Sequence, residues 1–288
     1  MKTFENRVAV ITGAASGLGR AFADQAAALK MKLVLADLRD DALQATVADF
    51  RAQGVEVAGM ACDVGKGEQV EALAKFAIER FGAVHCLFNN AGVGSGGLVW
   101  ESTVKDWEWV LNVNLWGVIH GVRVFTPLML EAATKDPDYE AHIVNVSSVA
   151  GLISPHLLGT YNVSKHAVVA LSESLYHDLS KTEPRVHASV LCPAFTPTGI
   201  SHSFKTRPDE LKNDAAPSAS MMACQAMIEK AVSSGKLTAV DVAQITFQAI
   251  RDEQFYIFTH PKFMPLVKAR LEDIAELRNP RDLFGMKG

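Results

Sequence analysis

Short β-branched runs alternate with longer Ala- and Leu-rich segments along most of this 288-residue chain. Several of the short runs are apolar at successive positions, as expected for strands that helices cover on both faces of a parallel sheet. The alternation therefore predicts an α/β fold, in which one doubly wound domain holds a parallel sheet of about seven strands flanked by helices.

The predicted strands, in chain order, are Arg7–Thr12, Lys32–Asp37, Val55–Ala61, Val84–Phe88, His142–Ser147, Val186–Cys192 and Phe255–Thr259. The predicted helices are Gly19–Leu29, Asp40–Gln53, Glu68–Phe81, Val104–Leu130, Tyr161–Leu179, Met221–Val232, Ala239–Asp252 and Pro265–Leu277. Between these elements, Glu131–Ala141 is hydrophilic and predicts an exposed surface loop. The proline-punctuated stretch Thr196–Ser220 is too long for an ordinary connection and predicts a mobile functional loop.

Composition and charge exclude several classes of partner. The chain carries 28 Lys and Arg against 32 Asp and Glu, a net charge of −4, which disfavours nucleic acid. No apolar run approaches the roughly 18 residues of a membrane span, and no signal peptide precedes the first strand, so we expect a cytoplasmic protein without a membrane partner. The four cysteines lie far apart without ligand-like spacing, which indicates reduced thiols and no metal site.

A glycine-rich turn, TGAASGLG, joins the first strand to the first helix. Gly13, Gly17 and Gly19 let the backbone turn tightly and approach a pyrophosphate, while the helix N-terminus offers free N–H groups to its oxygens. The spacing GxxxGxG differs from the common GxGxxG, and a plain strand-to-helix turn remains an alternative.

Polar residues follow the next strands at their carboxyl ends. Asp37 can accept hydrogen bonds from both adenosine ribose hydroxyls and would repel a 2′-phosphate, which favours NAD. Arg20 and Arg39 lie nearby and leave NADP open. Asp63 is either an adenine contact or a cap for the following helix, and the NNAG sequence at 89–92 is either part of the ligand crevice or a structural turn.

Ser148, Tyr161 and Lys165 form the most informative cluster. Tyr161 and Lys165 are four residues apart and share one helix face. A phenol with an ordinary pKa near ~10 is a poor base at neutral pH, and a neighbouring ammonium favours its ionised form. Ser148 ends the preceding strand and can orient a reacting oxygen. On its own the YxxxK pattern is also compatible with a surface helix pair, but it follows a nucleotide-type turn in the expected order.

Together with the glycine turn and NNAG, the chain contains Asn114 in NVNLWG, NVSS at 145–148 and YNVSK at 161–165. Through these motifs the chain closely resembles the short-chain dehydrogenase/reductase family over about residues 2–200. The resemblance implies a Rossmann-type fold in which Tyr161 is the acid/base, Ser148 polarises the substrate oxygen, Lys165 also binds the nicotinamide ribose and Asn114 holds a proton-relay water. It further implies cofactor contacts by Gly13, Ser16, Gly17, Leu18, Gly19, Asp37, Leu38, Asp63, Val64, Asn90, Ala91, Gly92, Tyr161, Lys165, Pro193, Thr196 and Thr198. The family's usual Pro-Gly after the sixth strand is Pro193-Ala194 here.

The expected function is therefore interconversion of a secondary alcohol and a ketone with NAD, or with NADP as the second choice. An NADPH-linked carbonyl or 3-oxoacyl reductase and a non-catalytic NAD sensor of the same fold remain alternatives. Residues 1–195 would form the cofactor-binding and catalytic core, 196–235 a substrate loop and 260–288 a tail. The resemblance also implies a homodimer or homotetramer.

Substrate walls are expected from Gly94–Val99, Val149–Leu158 and Thr196–Met227, and His156 and His202 flank this zone. Its apolar character favours a hydrophobic or aromatic small-molecule substrate. The apolar residues that give it this character are Leu98, Leu152, Ile153, Leu157, Leu158, Phe195, Ile200, Phe204, Met221 and Met222.

Overall fold

The computed structural model describes residues 1–282. Seven strands lie in one sheet: β1 Val8–Thr12, β2 Lys32–Asp37, β3 Val57–Ala61, β4 Cys86–Asn89, β5 Ala141–Val146, β6 Val186–Leu191 and β7 Tyr256–Ile257. The α-helices are α1 Gly17–Ala28, α2 Asp40–Ala52, α3 Gly67–Phe81, α4 Val104–Leu111, α5 Gly117–Lys135, α6 Gly159–Thr182, α7 Ala219–Ser233, α8 Ala239–Arg251 and α9 Met264–Ala275.

Every strand pairing in the sheet is parallel, in the order β3-β2-β1-β4-β5-β6-β7. The chain runs outward from β1 to β3 and then crosses to β4 on the other side of β1. This reversal opens a crevice at the carboxyl ends of β1 and β4, where ligands bind in open α/β sheets. The predicted doubly wound α/β domain is confirmed.

Two apolar clusters cover the two faces of the sheet. Phe22, Phe88 and Phe247 stack in one of them, with Phe88 centred 4.9 Å from Phe22 and 5.3 Å from Phe247. Phe125 and Met129 of α5 are fully buried in the other. Because helices seal both faces, the strands carry consecutive buried residues rather than alternating ones.

The predicted single helix Val104–Leu130 is interrupted. One wide turn of π-helix, Asn112–Trp116, separates α4 from α5. Such turns insert an extra residue into a helix and often occur at functional sites. The prediction of an exposed loop at Glu131–Ala141 is wrong for its first half, because α5 continues to Lys135 and Ala133 is buried in the core.

The predicted loop Thr196–Ser220 contains two short 3₁₀ helices, Gly199–Thr206 and Asp209–Leu211. By length and composition alone, the helical stretch Val104–Lys135 would be long and apolar enough to cross a membrane, and 33% of its apolar window is buried inside the domain. Here the stretch packs on α3 and the sheet as a helix of the domain. Within the predicted tail, 260–288, the structure describes a 3₁₀ turn at Pro261–Phe263 and α9, and the residues beyond Asp282 lie outside the described part of the chain.

Candidate active site

A single cavity of about 1120 Å³ runs along the carboxyl edge of the sheet. All the residues predicted to be catalytic or to bind the cofactor line it, except Gly19 and Asn114. Residues separated by up to 185 positions, Gly13 to Thr198, therefore meet at one site. Among residues 1–282, no cluster of His, Cys, Asp or Glu has the arrangement of a metal site.

The glycine turn forms the floor of the cavity at the start of α1. Gly13 and Gly17 have φ values of +64° and +55°, which L-residues with side chains rarely adopt. At Gly19 a Cβ atom would lie 2.1 Å from the Gly13 carbonyl oxygen, so only glycine fits. The Ser16 side chain does not cap α1, which leaves its first N–H groups free for an anionic oxygen.

Hydrogen bonds join the ends of β1 and β4 beside this turn. The Thr12 hydroxyl accepts hydrogen bonds from the Asn90 and Ala91 amides, at 3.0 and 3.1 Å. The Asn90 side chain donates to the Thr12 carbonyl at 2.8 Å. The NNAG sequence therefore forms a structural turn, and its last three residues also line the cavity.

Asp37 lies at the far end of the cavity and is 7% exposed. Its carboxylate accepts hydrogen bonds from the Ala15 and Arg39 amides at 3.0 and 3.1 Å. The Arg39 guanidinium lies 3.4 Å from the same carboxylate and donates to the Ser16 hydroxyl at 3.1 Å. Arg20 instead pairs with Asp24 and Asp49 on the surface.

Asp63 and Val64 line the same end of the cavity. The Asp63 carboxylate accepts a hydrogen bond from the Gly65 amide at 3.0 Å, while α3 begins later with Lys66 at its N-cap. Asp63 therefore does not cap the next helix, which removes the structural alternative considered for it.

Ser148, Tyr161 and Lys165 meet at the other end. Lys165 Nζ donates to the Val146 carbonyl at 3.0 Å and lies 5.6 Å from the centre of the Tyr161 ring. Burial lowers the Lys165 pKa to about 8. Burial also raises the pKa of Tyr161, and a hydrogen bond with Ser148 opposes that rise. In the chain by itself, Lys165 is not among the groups that shift the Tyr161 pKa, in contrast to the sequence expectation.

Asn114 is fully buried in the π-helical turn. Its side chain accepts from the Val93 amide at 2.8 Å and donates to the Val93 carbonyl at 2.9 Å. It also contacts the Ser164 hydroxyl at 3.1 Å, on the helix that carries Tyr161 and Lys165. Asn114 thus fixes the segment after β4 against α6.

The loop after β6 closes the cavity from above. The Pro193 carbonyl accepts hydrogen bonds from the Val149 amide at 2.8 Å and the Ser148 hydroxyl at 3.3 Å. Thr198 packs over the glycine turn, where a Cβ on Gly17 would lie 3.3 Å from its side chain. Thr196 is buried and also lines the cavity.

His260 was missed by sequence reasoning. Its Nδ1 accepts a hydrogen bond from the Ala194 amide at 3.2 Å. The residue follows β7 at the carboxyl edge of the sheet. That position after a predicted strand was the one signal in the sequence that could have revealed it.

The predicted apolar wall is only partly correct. Six of the ten residues line the cavity, and Leu98, Leu152, Ile153 and Leu157 do not. Ile153 is fully buried, and it packs with Leu152 against Val267 of α9 instead. Of the two flanking histidines, His202 lines the cavity, and His156 is not among its lining residues.

A buried ion pair fastens the segment over the cavity to α4. Arg207 donates to Asp106 at 2.6 Å, and their side chains are 10% and 3% exposed. Asn213 donates to the same carboxylate at 3.0 Å, and the guanidinium lies 5.0 Å from the centre of the Trp109 ring. Asp106, Trp109, Arg207 and Asn213 therefore hold this segment against α4.

Comparison with known proteins gives consistent results. The family model described as "short chain dehydrogenase" matches residues 7–209. A crystal structure of a short chain dehydrogenase/reductase from Burkholderia phymatum in complex with NAD is 55% identical, covers 98% of this chain and 99% of its own, and has a TM-score of 0.95.

Two curated relatives match most of the chain. The CLA biosynthesis dehydrogenase/reductase of Lactiplantibacillus plantarum is 34% identical over 278 residues, 95% of each protein. The 1-deoxy-11-beta-hydroxypentalenate dehydrogenase of Streptomyces exfoliatus is 30% identical over 272 residues, covering 94% of this chain and 89% of the relative. Together with the fold and the cavity, these matches show that the chain belongs to the short-chain dehydrogenase/reductase family of oxidoreductases.

Proposed function

We propose that this protein is an NAD-dependent dehydrogenase that interconverts a secondary alcohol and a ketone. One observation carries the proposal: Ser148, Tyr161 and Lys165 lie at one end of a continuous cavity, and Asp37 lies at the other. There the Asp37 carboxylate would accept hydrogen bonds from the ribose hydroxyls of the dinucleotide. When bound, the dinucleotide supplies the hydride acceptor or donor. The glycine turn, the first turn of α1, Asn90, Thr196 and Thr198 provide its binding surface.

The residues of the chain move and hold the proton. In the direction of alcohol oxidation, the Tyr161 phenolate oxygen takes the hydroxyl proton of the substrate, and the Ser148 hydroxyl donates a hydrogen bond to the same substrate oxygen. Burial raises the pKa of Tyr161, and the Ser148 hydrogen bond lowers it towards the phenolate. The Lys165 ammonium, 5.6 Å from the centre of the ring, is the nearby charge that would favour the phenolate once the cofactor and substrate are bound.

Asn114 and Lys165 are suited to pass that proton onward. A Cβ atom placed on Gly92 would lie 3.5 Å from Asn114 Oδ1 and 3.6 Å from Lys165 Nζ. The two polar groups therefore flank the same small space beside Gly92. A water molecule there would have both as partners and would connect Tyr161 to solvent.

The contacts of Asp37 support NAD over NADP. A 2′-phosphate on the ribose would face the Asp37 carboxylate, and Arg20 is held on the surface by two aspartates. The neighbour from Burkholderia phymatum contains NAD. The second candidate is an NADPH-linked carbonyl or 3-oxoacyl reductase. It is favoured by the position of Arg39, whose guanidinium is 41% exposed beside Asp37 and could bind a 2′-phosphate.

We further propose an apolar substrate. Leu158, Phe195, Ile200, Met221 and Met222 line the substrate side of the cavity. Within the proposed division into a core at 1–195, a substrate loop at 196–235 and a tail from 260, most of these residues belong to the loop. The relative from Streptomyces exfoliatus is named a 1-deoxy-11-beta-hydroxypentalenate dehydrogenase, and a hydroxylated substrate is compatible with the proposed alcohol oxidation.

The remaining expectations concern assembly and location. Apolar side chains at Val104, Trp116 and Val163 are about half exposed or more on the helices of one face, which supports a homodimer or homotetramer. The four cysteines are buried and free, as expected in the cytoplasm. We expect no nucleic acid or membrane partner.

The test is a panel of apolar secondary alcohols and ketones, assayed with NAD and NADP by absorbance of the reduced nicotinamide. The proposal predicts turnover with NAD and a higher kcat/KM for NAD than for NADP. Cofactor binding without turnover across the panel would instead indicate the sensor of the same fold.

A further inference from the structure

His260 lies beneath the loop that follows β6. The ring is 6% exposed, and its centre is 6.3 Å from the centre of the Phe263 ring. A second, smaller cavity of about 250 Å³ borders it, and Phe195 lines both this cavity and the catalytic one. The ring lines only this second cavity, so it touches neither the substrate space nor the cofactor groove.

The hydrogen bonds of His260 determine its protonation state. A backbone amide can only donate, so Nδ1 must be unprotonated to accept from Ala194 at 3.2 Å. The Thr259 hydroxyl contacts the same Nδ1 at 2.8 Å. The neutral ring therefore carries its proton on Nε2, which has no hydrogen-bond partner among the described residues. Burial and the charge of Lys262 lower the His260 pKa and outweigh a contact with the Phe195 backbone that raises it, which also favours the neutral ring.

The bonded amide belongs to a peptide unit that also holds Ser148. The Pro193 carbonyl and the Ala194 amide are the two ends of one planar group, so fixing the N–H direction fixes the carbonyl direction. That carbonyl accepts the hydrogen bond of the Ser148 hydroxyl at 3.3 Å and that of the Val149 amide at 2.8 Å. His260, the peptide and Ser148 thus form one continuous chain of hydrogen bonds.

From this geometry we infer that His260 is a positioning residue, which acts through the Pro193–Ala194 peptide to orient the Ser148 hydroxyl. The inference rests on the proposed function, because it assigns Ser148 to the substrate oxygen. The hydrogen bond from the Ala194 amide to His260 fixes the orientation of this peptide on the side opposite its carbonyl oxygen.

The test uses two variants of the full-length protein and a matched control. His260→Leu removes the acceptor and is expected to lower kcat/KM about tenfold, mainly in kcat, with the Kd for NAD unchanged. His260→Asn places a carbonyl oxygen the same number of bonds from the backbone as Nδ1, and it is expected to restore activity to within about threefold. His187→Leu, at the opposite end of β6, is the control and is expected to keep wild-type kinetics.

A double-mutant cycle distinguishes positioning from general loss of structure. If His260 acts through Ser148, His260→Leu costs less than about twofold in a Ser148→Ala background. A full, additive loss there would overturn the inference and leave the proposed function intact. Full activity of Ser148→Ala alone would overturn the role of Ser148 on which the inference rests, whereas absence of turnover by the wild type with every compound of the panel would overturn the proposed function itself. Independently of activity, ¹⁵N spectra of the histidine rings are expected to show His260 protonated at Nε2, and protonation at Nδ1 at neutral pH would refute the role.

Discussion

Removing the charge of Arg207 tests how the segment over the cavity is held. Arg207→Met keeps most of the side-chain length but leaves Asp106, which is 3% exposed, without its counter-ion. Leaving one partner of a buried pair unpaired costs about 3–5 kcal/mol. Asp106 would still accept hydrogen bonds from the Thr103 amide and hydroxyl and from Asn213, at 2.8, 3.0 and 3.0 Å. The loss should therefore fall at the lower end, about 3 kcal/mol.

Urea unfolding followed by tryptophan fluorescence measures this loss, since Trp109 packs under the guanidinium. A loss of about 3 kcal/mol corresponds to a Tm lower by roughly 6–12 °C. Protein concentration must be the same for all variants, because oligomerisation shifts apparent stability. Lys105→Met removes the exposed pair with Asp214 and is the matched control, with an expected change below about 0.5 kcal/mol.

The pKa of Asp106 determines how the stability of the fold changes with pH. Burial alone would raise the Asp106 pKa, but hydrogen bonds from Thr103, Arg207 and Asn213 outweigh it and hold the pKa below 3.8. The folded state therefore gains stability above the ordinary pKa and loses it as pH falls below that value. The difference between wild type and Arg207→Met should stay constant near neutral pH. Equal losses for Arg207→Met and Lys105→Met would refute the reasoning.

Three further predictions concern the proposed cofactor end of the cavity and Lys165. Asp37→Ala removes the carboxylate proposed to bind the ribose, so the ratio of kcat/KM for NAD to that for NADP should fall roughly tenfold or more. An unchanged ratio would show that Asp37 does not discriminate between the two cofactors. Gly19→Ala places a Cβ 2.1 Å from the Gly13 carbonyl oxygen, so the Kd for NAD, measured by calorimetry, should rise about 100-fold. A Kd equal to that of the wild type would contradict the turn geometry. Burial lowers the Lys165 pKa from 10.5 to about 8, so the unfolded state binds more protons than the folded state between these two pH values. The free energy of unfolding of the wild type should therefore rise across this pH range by about 3 kcal/mol relative to that of Lys165→Met. A flat difference would contradict burial of a charged Lys165.

The elements that the sequence predicted best are those that local patterns determine. β-Branched runs located all seven strands to within a few residues, since most of the strands, such as β1 and β5, are buried on both faces. The glycine turn, Asp37 and the Tyr161-Lys165 pair could be assigned because their function requires a fixed spacing. Their meeting in one cavity then follows from strand order alone.

What could not be predicted depends on contacts between distant segments. Nothing near Arg207 in sequence indicates its partner, which lies 101 residues away, and nothing near Ala194 indicates His260. The π-helical turn at Asn114 is likewise stabilised by Val93 and Ser164, on other elements. The loop predicted from Glu131 failed because Ala133 packs into the core and extends α5.

Turnover by Tyr161→Phe tests the central claim most directly. The substitution removes only the phenolic oxygen, so the fold and the Kd for NAD should be unchanged when measured by circular dichroism and calorimetry. With the best alcohol from the panel, kcat should fall about 10²- to 10⁴-fold, the usual contribution of a positioned acid/base. A Tyr161→Phe variant that binds NAD normally and turns over within tenfold of wild type would contradict the assignment of Tyr161 and the mechanism built on it.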